Sequence, residues 1–501
     1  MHNGTLGDPT RSELVGFPGG VDLIAVYGGW LHTFLGVALC RLFDLAPHLG
    51  YSGALALLLV ATGVGGVALG RAMGLSQGAA ALMGLLLQLD GWVLYNAMDG
   101  RPEHAGFGPL CLALAGLLWT LRGNQRWAPV LGGLAGALTF VSGWEQGVYL
   151  GGAGLVVLAG AAWQGGLVAD WGRRLGALVV VGAAAAAPWV GLFLWRSLAV
   201  RAADEGAALL DHAADQSLLL GAWLLGMGRQ PTRLALVAML ALPWALPKER
   251  RLLAAVGVGL LISLLLAIGP TPGLWSRGDL GIWGPQAHLQ GLPILGWFHS
   301  PARLALGFSF VSVLAAAALV DRLWSGGRRA LAGALAALIV ASAVWEDEKA
   351  GDWPRGGFAL PDWPEVREVG ARPGAGAVLD LPISHLGVHT QDNQLTQLLH
   401  GRPIPGHPWL PWMAPDRSEE AVAGVALLQW VSEGEGAAPA FTASDRQTLL
   451  DRGLRFVAVT PRYVRRGRAG EVVAALTAAW GPPMTGKPQR WICWDLQQRG
   501  G

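Results

Sequence analysis

Between two long apolar runs, the stretch "NAMDGRPEHAGFGPL" places Asp99, Arg101, Glu103 and His104 close together. Acids, an arginine and a histidine in that grouping suit group transfer at a phosphate. A carboxylate can take the proton from an acceptor hydroxyl as general base. Arginine binds phosphate oxygens with a planar fork and offsets charge on a phosphate leaving group. Similar residue types recur in two other segments. The N-terminal stretch "GDPTRSELVGFPGGVDL" carries Asp8, Arg11, Glu13 and Asp22. The segment 269–302 carries Arg277, Asp279, His288 and His299, and "SPAR" then ends on Arg303. Whether these groups can meet depends on the elements that carry them.

The chain has 501 residues, 52% hydrophobic and 14% charged, with a net charge of +2. So apolar a composition points away from a soluble protein, and the small charge gives no footprint for nucleic acid. From Val21 to Val344, apolar stretches of spanning length recur. They predict ten helices: Tyr51–Gly70, Gln77–Tyr95, Ala105–Leu121, Ala128–Ser142, Val148–Trp163, Gly176–Trp195, Leu234–Leu246, Leu252–Ile268, Arg303–Val320 and Ala330–Val344. An eleventh segment, Val21–Leu45, contains Asp22, His32 and Arg41, which suits either an interfacial position or a crossing.

Every second connection is short and basic: Arg71; Arg122 with Arg126; Arg173 with Arg174; Lys248 with Arg250 and Arg251; Arg322 with Arg328 and Arg329. The positive-inside rule places these in the cytoplasm. The alternate connections then face outward: 96–104, the turn around Glu145, 196–233, 269–302 and the polar tail. Tryptophans 127, 163, 195, 244, 275, 297, 324 and 345 fall near helix ends, as an interfacial belt requires. The expected location is the inner (cytoplasmic) membrane, multi-pass, with the tail extracytoplasmic. No cleavable leader is read in the first residues.

After Trp345 the chain turns polar, which divides it into a membrane domain (1–350) and a second domain (351–501). Three short apolar runs, Gly376–Ile383, Arg455–Pro461 and Arg490–Leu496, read as strands. Helical patterns, "EEAVAGVALLQWV" and "AGEVVAALTAAW", lie between them, so the tail is a small α/β domain.

Several stretches quoted above resemble bacterial polytopic glycosyltransferases of the C superfold, relatives of lipid-linked-sugar mannosyltransferases. "LVGFPGGVDLIAVYGGWLHTFLGVAL" is similar to their first outer loop. "AIGPTPGLW…GLPILGWFHSPARLALGFSF" resembles their Gly-Pro outer loop, which closes on a Pro-x-Arg that opens a helix. "GAVLDLPI…LLHGRPIPGH…LLDRGLRFVAVTP" looks like their C-terminal domain. The resemblance implies a polyprenyl-phosphate-sugar donor, transfer at the outer face to an acceptor, and inversion at the anomeric carbon. It makes Asp8, Glu13 or Asp22 the base, Asp99 and Glu103 a second acidic site, and Arg303 the phosphate ligand, assisted by His299, Arg101 and His104. A divalent metal could join the acids. That family has a helix before the first outer loop, whereas Met1 here falls almost inside the loop. A base supplied from further upstream, a crossing by Val21–Leu45 and a degenerate relative all fit that departure.

Simpler readings stand beside these. Asp99 and Glu103 also suit solvated loop ends, and Arg303 a snorkelling interface arginine. Asp90, about one turn inside a span, is either functional or reaches headgroup water. Glu145, in a tight outer hairpin, reads as solvated. His385, His389, His400 and His407 match no zinc spacing and read as surface or core histidines. Cys40, Cys111 and Cys493 read as small packing residues. "GVGGVALG" (Gly63–Gly70) reads as a helix-packing face. A transporter would show internal symmetry, and no repeated halves are seen. A non-catalytic membrane scaffold of the same fold is the main alternative to the transferase.

Overall fold

The computed structural model describes residues 11–12, 21–22, 30–98, 104–123, 125–200, 233–270, 272, 303–304, 306–350, 363–382, 396–397, 399–405, 418–433, 436–461, 464, 468–487 and 491–498. Two compact units emerge. One comprises Tyr27–Leu192 and Ala203–Gly356; the other comprises Met1–Val26, Phe193–Ala202 and Gly357–Gly501.

The first unit is helical throughout its described residues. Its helices are α1 (Trp30–Phe43), α2 (Pro47–Ala72), α3 (Gln77–Gln88), α4 (Gly91–Met98), α5 (Gly108–Arg122), α6 (Ala128–Ser142), α7 (Trp144–Gln164), α8 (Trp171–Val200, its end passing into the second unit), α9 (Arg233–Ala238), α10 (Leu242–Ala245), α11 (Arg250–Ala267), α12 (Leu306–Ser325) and α13 (Arg329–Ala350). Among the described residues, five helical stretches are long and apolar enough to cross a bilayer: Leu49–Ala72, Trp144–Gln164, Trp171–Phe193, Pro247–Ala267 and Leu306–Ser325. Shorter apolar helices, such as α3, α5 and α6, pack between them. Many large apolar side chains, such as Val60, Leu155, Val180 and Leu261, remain exposed on the helices. In a bundle this long and apolar, that surface faces lipid.

Two predicted helices are broken. Gln77–Tyr95 divides into α3 and α4 at Asp90, because the Asp90 carboxylate accepts the Trp92 backbone N–H at 3.1 Å. A short acidic side chain competes for backbone donors and so starts a new helix. Leu234–Leu246 divides into α9, a 3₁₀ turn and α10, where Pro243 enters the first turn. Proline lacks the N–H that a continuous helix needs there. Within Val21–Leu45, the helix is the 14-residue α1.

Small residues let the helices meet at their backbones. A Cβ on Gly108 of α5 would lie 2.5 Å from the Ala61 carbonyl of α2. One on Gly66 would lie 2.9 Å from the Gly84 Cα of α3. The Gly63–Gly70 stretch is therefore a packing face, as the sequence indicates.

The basic turns gather at one end of this unit. Ser76 bonds Asp321, Arg122 pairs with Glu249 at 2.8 Å, Arg174 donates to the Gly123 and Gln125 carbonyls, and Arg251 donates to that of Trp163 at 3.0 Å. Exposed tryptophans 127, 163, 171, 244 and 324 ring the same end. Arg322 and Arg329 stack over Trp244 and Trp324. The basic turns read from the sequence thus share one end of the unit.

The second unit contains a short antiparallel pair, β1 (Arg11–Ser12) with β2 (Val21–Asp22), and a four-stranded sheet. The sheet strands are β3 (Ala377–Leu381), β4 (Leu454–Val459), β5 (Thr485–Lys487) and β6 (Trp491–Asp495), ordered β3-β4-β6-β5. β3 and β4 run parallel; β6 is antiparallel to β4 and β5. Every residue of β3, β4 and β6 is buried, which is why these strands read as apolar runs, interrupted only by the buried charges Asp380, Arg455 and Asp495. The helices are α14 (Pro364–Ala371), α15 (Ser418–Val422), α16 (Ala426–Glu433), α17 (Ala443–Asp451) and α18 (Ala469–Trp480). The predicted helix "EEAVAGVALLQWV" is two, α15 and α16, separated where Gly424 takes a φ of +75°. That left-handed turn ends a helix and suits glycine.

Candidate functional site

At the end opposite the basic turns, α6 and α7 meet in a tight hairpin through Gly143. A Cβ on Gly147 would strike the Phe140 ring, so glycine lets the two arms close. The turn puts Glu145 in the first turn of α7, where a carboxylate is favoured by the helix dipole. The sequence reading of Glu145 as a solvated hairpin acid is corrected here: the residue is only 5% exposed. It is buried because it has a partner. Arg303, just before α12, donates from one Nη1 to both Glu145 oxygens, at 2.6 and 2.8 Å. His104 Nδ1 lies 3.7 Å from the same carboxylate. Tyr149, one turn further along α7, feels the charge of both partners.

Buried polar contacts hold the short segment that carries His104. The Thr62 hydroxyl accepts the Phe107 N–H at 3.0 Å and reaches the Ala105 carbonyl at 3.3 Å. The Gln146 amide donates to the Gly106 carbonyl at 3.3 Å. Phe107 then stacks edge-on against Phe310 of α12, with centroids 5.5 Å apart. Asp90, at the α3–α4 break, faces Ser309 of α12. So residues from α2, the α3–α4 break, the segment before α5, the start of α7 and the start of α12 all converge on one end of the bundle.

The structure therefore unites two of the sequence candidates, Arg303 and His104, around an acid that sequence reasoning set aside. Asp8, Glu13, Asp99, Arg101, Glu103 and His299 lie outside the described residues. Asp22 stands opposite Arg11 in the β1–β2 ladder. One signal for Glu145 was available: an acid followed by Gln146 and, one turn on, Tyr149, at the mouth of an otherwise apolar helix. Polar groups on successive turns of a membrane helix need partners inside the bundle.

Chemically, the arrangement is an ion pair in an apolar setting, in which the carboxylate fixes the guanidinium in place. The Arg303 side chain is 15% exposed and that of Glu145 6%. Low dielectric strengthens any field that the guanidinium presents to an incoming anion.

No protein-family model matches the sequence, and no curated protein does. Solved structures do. A cryo-EM structure of the arabinofuranosyltransferase AftD from Mycobacteria aligns with 98% of this chain, at a TM-score of 0.62 and 17% identity. The fold is GT-C-like. The AftD mutant R1389S, in its class 2 structure, also aligns with 98% of the chain, at a TM-score of 0.53. A weaker likeness, with a TM-score of 0.48 and 14% identity, is to ArnT from Cupriavidus metallidurans bound to undecaprenyl phosphate, over 96% of this chain and 92% of that one. The GT-C-like chain spans 37% of the length of AftD. The GT-C-like fold is what the resemblance in the sequence implied, and the polytopic helical domain followed by a small α/β domain is what its hydropathy and strand–helix pattern implied.

Proposed function

We propose that this chain is a membrane glycosyltransferase that moves a sugar from a polyprenyl-phosphate donor to an acceptor at the end of the bundle opposite the basic turns. By the charge bias of its connections, that end is the outer face of the inner membrane. The observation that carries the reading is the buried Glu145–Arg303 pair with His104 beside it. Glu145 holds the guanidinium in place before substrate arrives. Arg303 then stabilises the phosphate as the bond from the anomeric carbon to its oxygen breaks. A carboxylate takes the proton of the acceptor hydroxyl as that oxygen attacks the opposite face of the sugar. Glu103, the residue before His104 in the sequence, is one candidate for that base. Asp99 lies four positions before Glu103 and is another, and Asp8 and Glu13 are the N-terminal candidates. The GT-C-like fold supports this assignment.

The test is release of undecaprenyl phosphate from a panel of undecaprenyl-phosphate sugars, followed by mass spectrometry with membranes carrying the protein. The wild type turns over at least one donor. Arg303→Ala and Asp99→Asn each lose at least 100-fold, with turnover normalised to the folded fraction of each sample. Full turnover in both variants would remove the assignment. The second reading is a non-catalytic GT-C-like scaffold. It is favoured by the closure of Arg303 on Glu145, which a structural strut would also show. Turnover of no donor by the wild type selects that reading.

A further inference from the structure

The α/β unit contains a cavity of about 530 Å³ between α14, the 400–403 segment and the start of β4. That volume lies within the range of roughly 300–1,000 Å³ typical of small-molecule sites. Its walls carry Arg372, which pairs with Glu368 at 3.0 Å, together with Arg402 and Arg455, and no carboxylate is among its described lining residues. Arg402 and Arg455 both lie over the Phe456 ring, 4.5 and 4.7 Å from its centroid. Glycines 374, 376, 401 and 453 line it with positive φ angles, which leaves backbone rather than side chain at much of the wall.

The donors in this cavity exceed the acceptors that the fold supplies. A guanidinium has five N–H groups. Arg402 directs four contacts to the carbonyls of Val369, Arg372, Gly374 and Gly376. Arg455 uses three, on the Asp495 carboxylate and the Pro373 carbonyl. One N–H of Arg402 and two of Arg455 remain. His400 adds another. Its Nδ1 accepts the Arg402 backbone N–H at 3.0 Å, so the proton of the neutral ring sits on Nε2, which is buried without a partner. Burial and the neighbouring Arg402 push the His400 pKa down to about 3, which keeps the ring neutral. At the rim, Gln497 is exposed and Arg372 half-buried.

We infer that this cavity binds an anionic saccharide, one that presents a carboxylate or a phosphate to the arginines and hydroxyls to His400 and Gln497. Leu450, Leu454 and Pro403 offer an apolar wall for the sugar ring. The inference is independent of the transferase reading, because its readout is binding alone.

The experiment is calorimetric titration of the full-length protein in detergent with glucuronate, glucose 6-phosphate, glucose and inorganic phosphate. At least one of the two anionic sugars is expected to bind saturably, to weaken with salt, and to exceed both glucose and inorganic phosphate by tenfold or more. The rim variant Arg372→Glu/Gln497→Glu, which leaves the buried contacts in place, should weaken that binding at least tenfold. His400→Asn keeps an acceptor where Nδ1 was and deletes the Nε2 donor; it should weaken binding severalfold. The inference is overturned by absence of binding at 10 mM, by equal binding of inorganic phosphate, or by unchanged affinity in the rim variant.

Discussion

Removing Arg303 alone should destabilise the helical unit far more than removing it together with Glu145. The pair sits at 2.6 and 2.8 Å, with side-chain exposures of 15% and 6%. At an effective dielectric of about 20, a gross attraction of about 6 kcal/mol follows from Coulomb's law at that separation. Desolvation of both ions offsets most of it, so the intact pair contributes little net stability. Breaking it is different. Arg303→Ala leaves Glu145 buried without its guanidinium, at a cost of about 3–5 kcal/mol. The double variant Glu145→Leu/Arg303→Met replaces both ions with apolar groups and should return to within about 1–2 kcal/mol of wild type. Yet that stable double variant should release no undecaprenyl phosphate, because the cation has gone. The assay is a double-mutant cycle on unfolding in mixed micelles, with donor turnover measured on the same samples. If Arg303→Ala proves as stable as wild type, the two charges are not buried together as described. If the double variant turns over donor normally, the pair is a strut and the chemistry lies elsewhere.

Gly108→Ala should destabilise by about 1–3 kcal/mol, since the new Cβ would meet the Ala61 backbone at 2.5 Å and force α2 from α5. Gly78→Ala is the control, with open space around it and an expected gain of about 0.5–1 kcal/mol in thermal unfolding. In the α/β unit, burial raises the Asp380 pKa from 3.8 to about 7, against a hydrogen bond from Trp491. The folded state therefore holds a proton that the unfolded state has lost, and stability falls as pH rises from 3.8 to about 7, by on the order of 4 kcal/mol in all. His400 acts oppositely: its lowered pKa withdraws stability as pH falls from 6.5 to about 3. The two slopes oppose one another between pH 3.8 and 6.5, giving a plateau. Asp380→Asn should replace that plateau with protection of β4 that climbs to pH 6.5, read by hydrogen exchange corrected for intrinsic rate; a persisting plateau would contradict the assignment.

Much of this architecture was legible in the residues. Ala128–Ser142 and Ala469–Trp480 match their helices end for end, because apolar periodicity and flanking Gly or Trp-Ala-Pro signals agree there. The three predicted sheet strands were visible as apolar runs because both faces of each are covered. The short β5 and the helices α14 and α17 were not visible, since their residues are mostly polar and show no clear apolar period. The alternation of basic turns depends only on local charge, so it too could be read directly.

The pairing of Glu145 with Arg303 could not. The two residues are 158 positions apart, and nothing local distinguishes a solvated acid from one waiting for a distant guanidinium. The same holds for Asp90, whose carboxylate breaks a run that its apolar neighbours would have continued as one helix. Sequence determines which segments enter the bilayer and which residues are chemically capable, because transfer free energy and hydrogen-bonding capacity belong to each residue. Partnership among charges belongs to the packed bundle. Only when α7, α12 and the segment before α5 close on one another does burial make an isolated charge costly enough to require its partner.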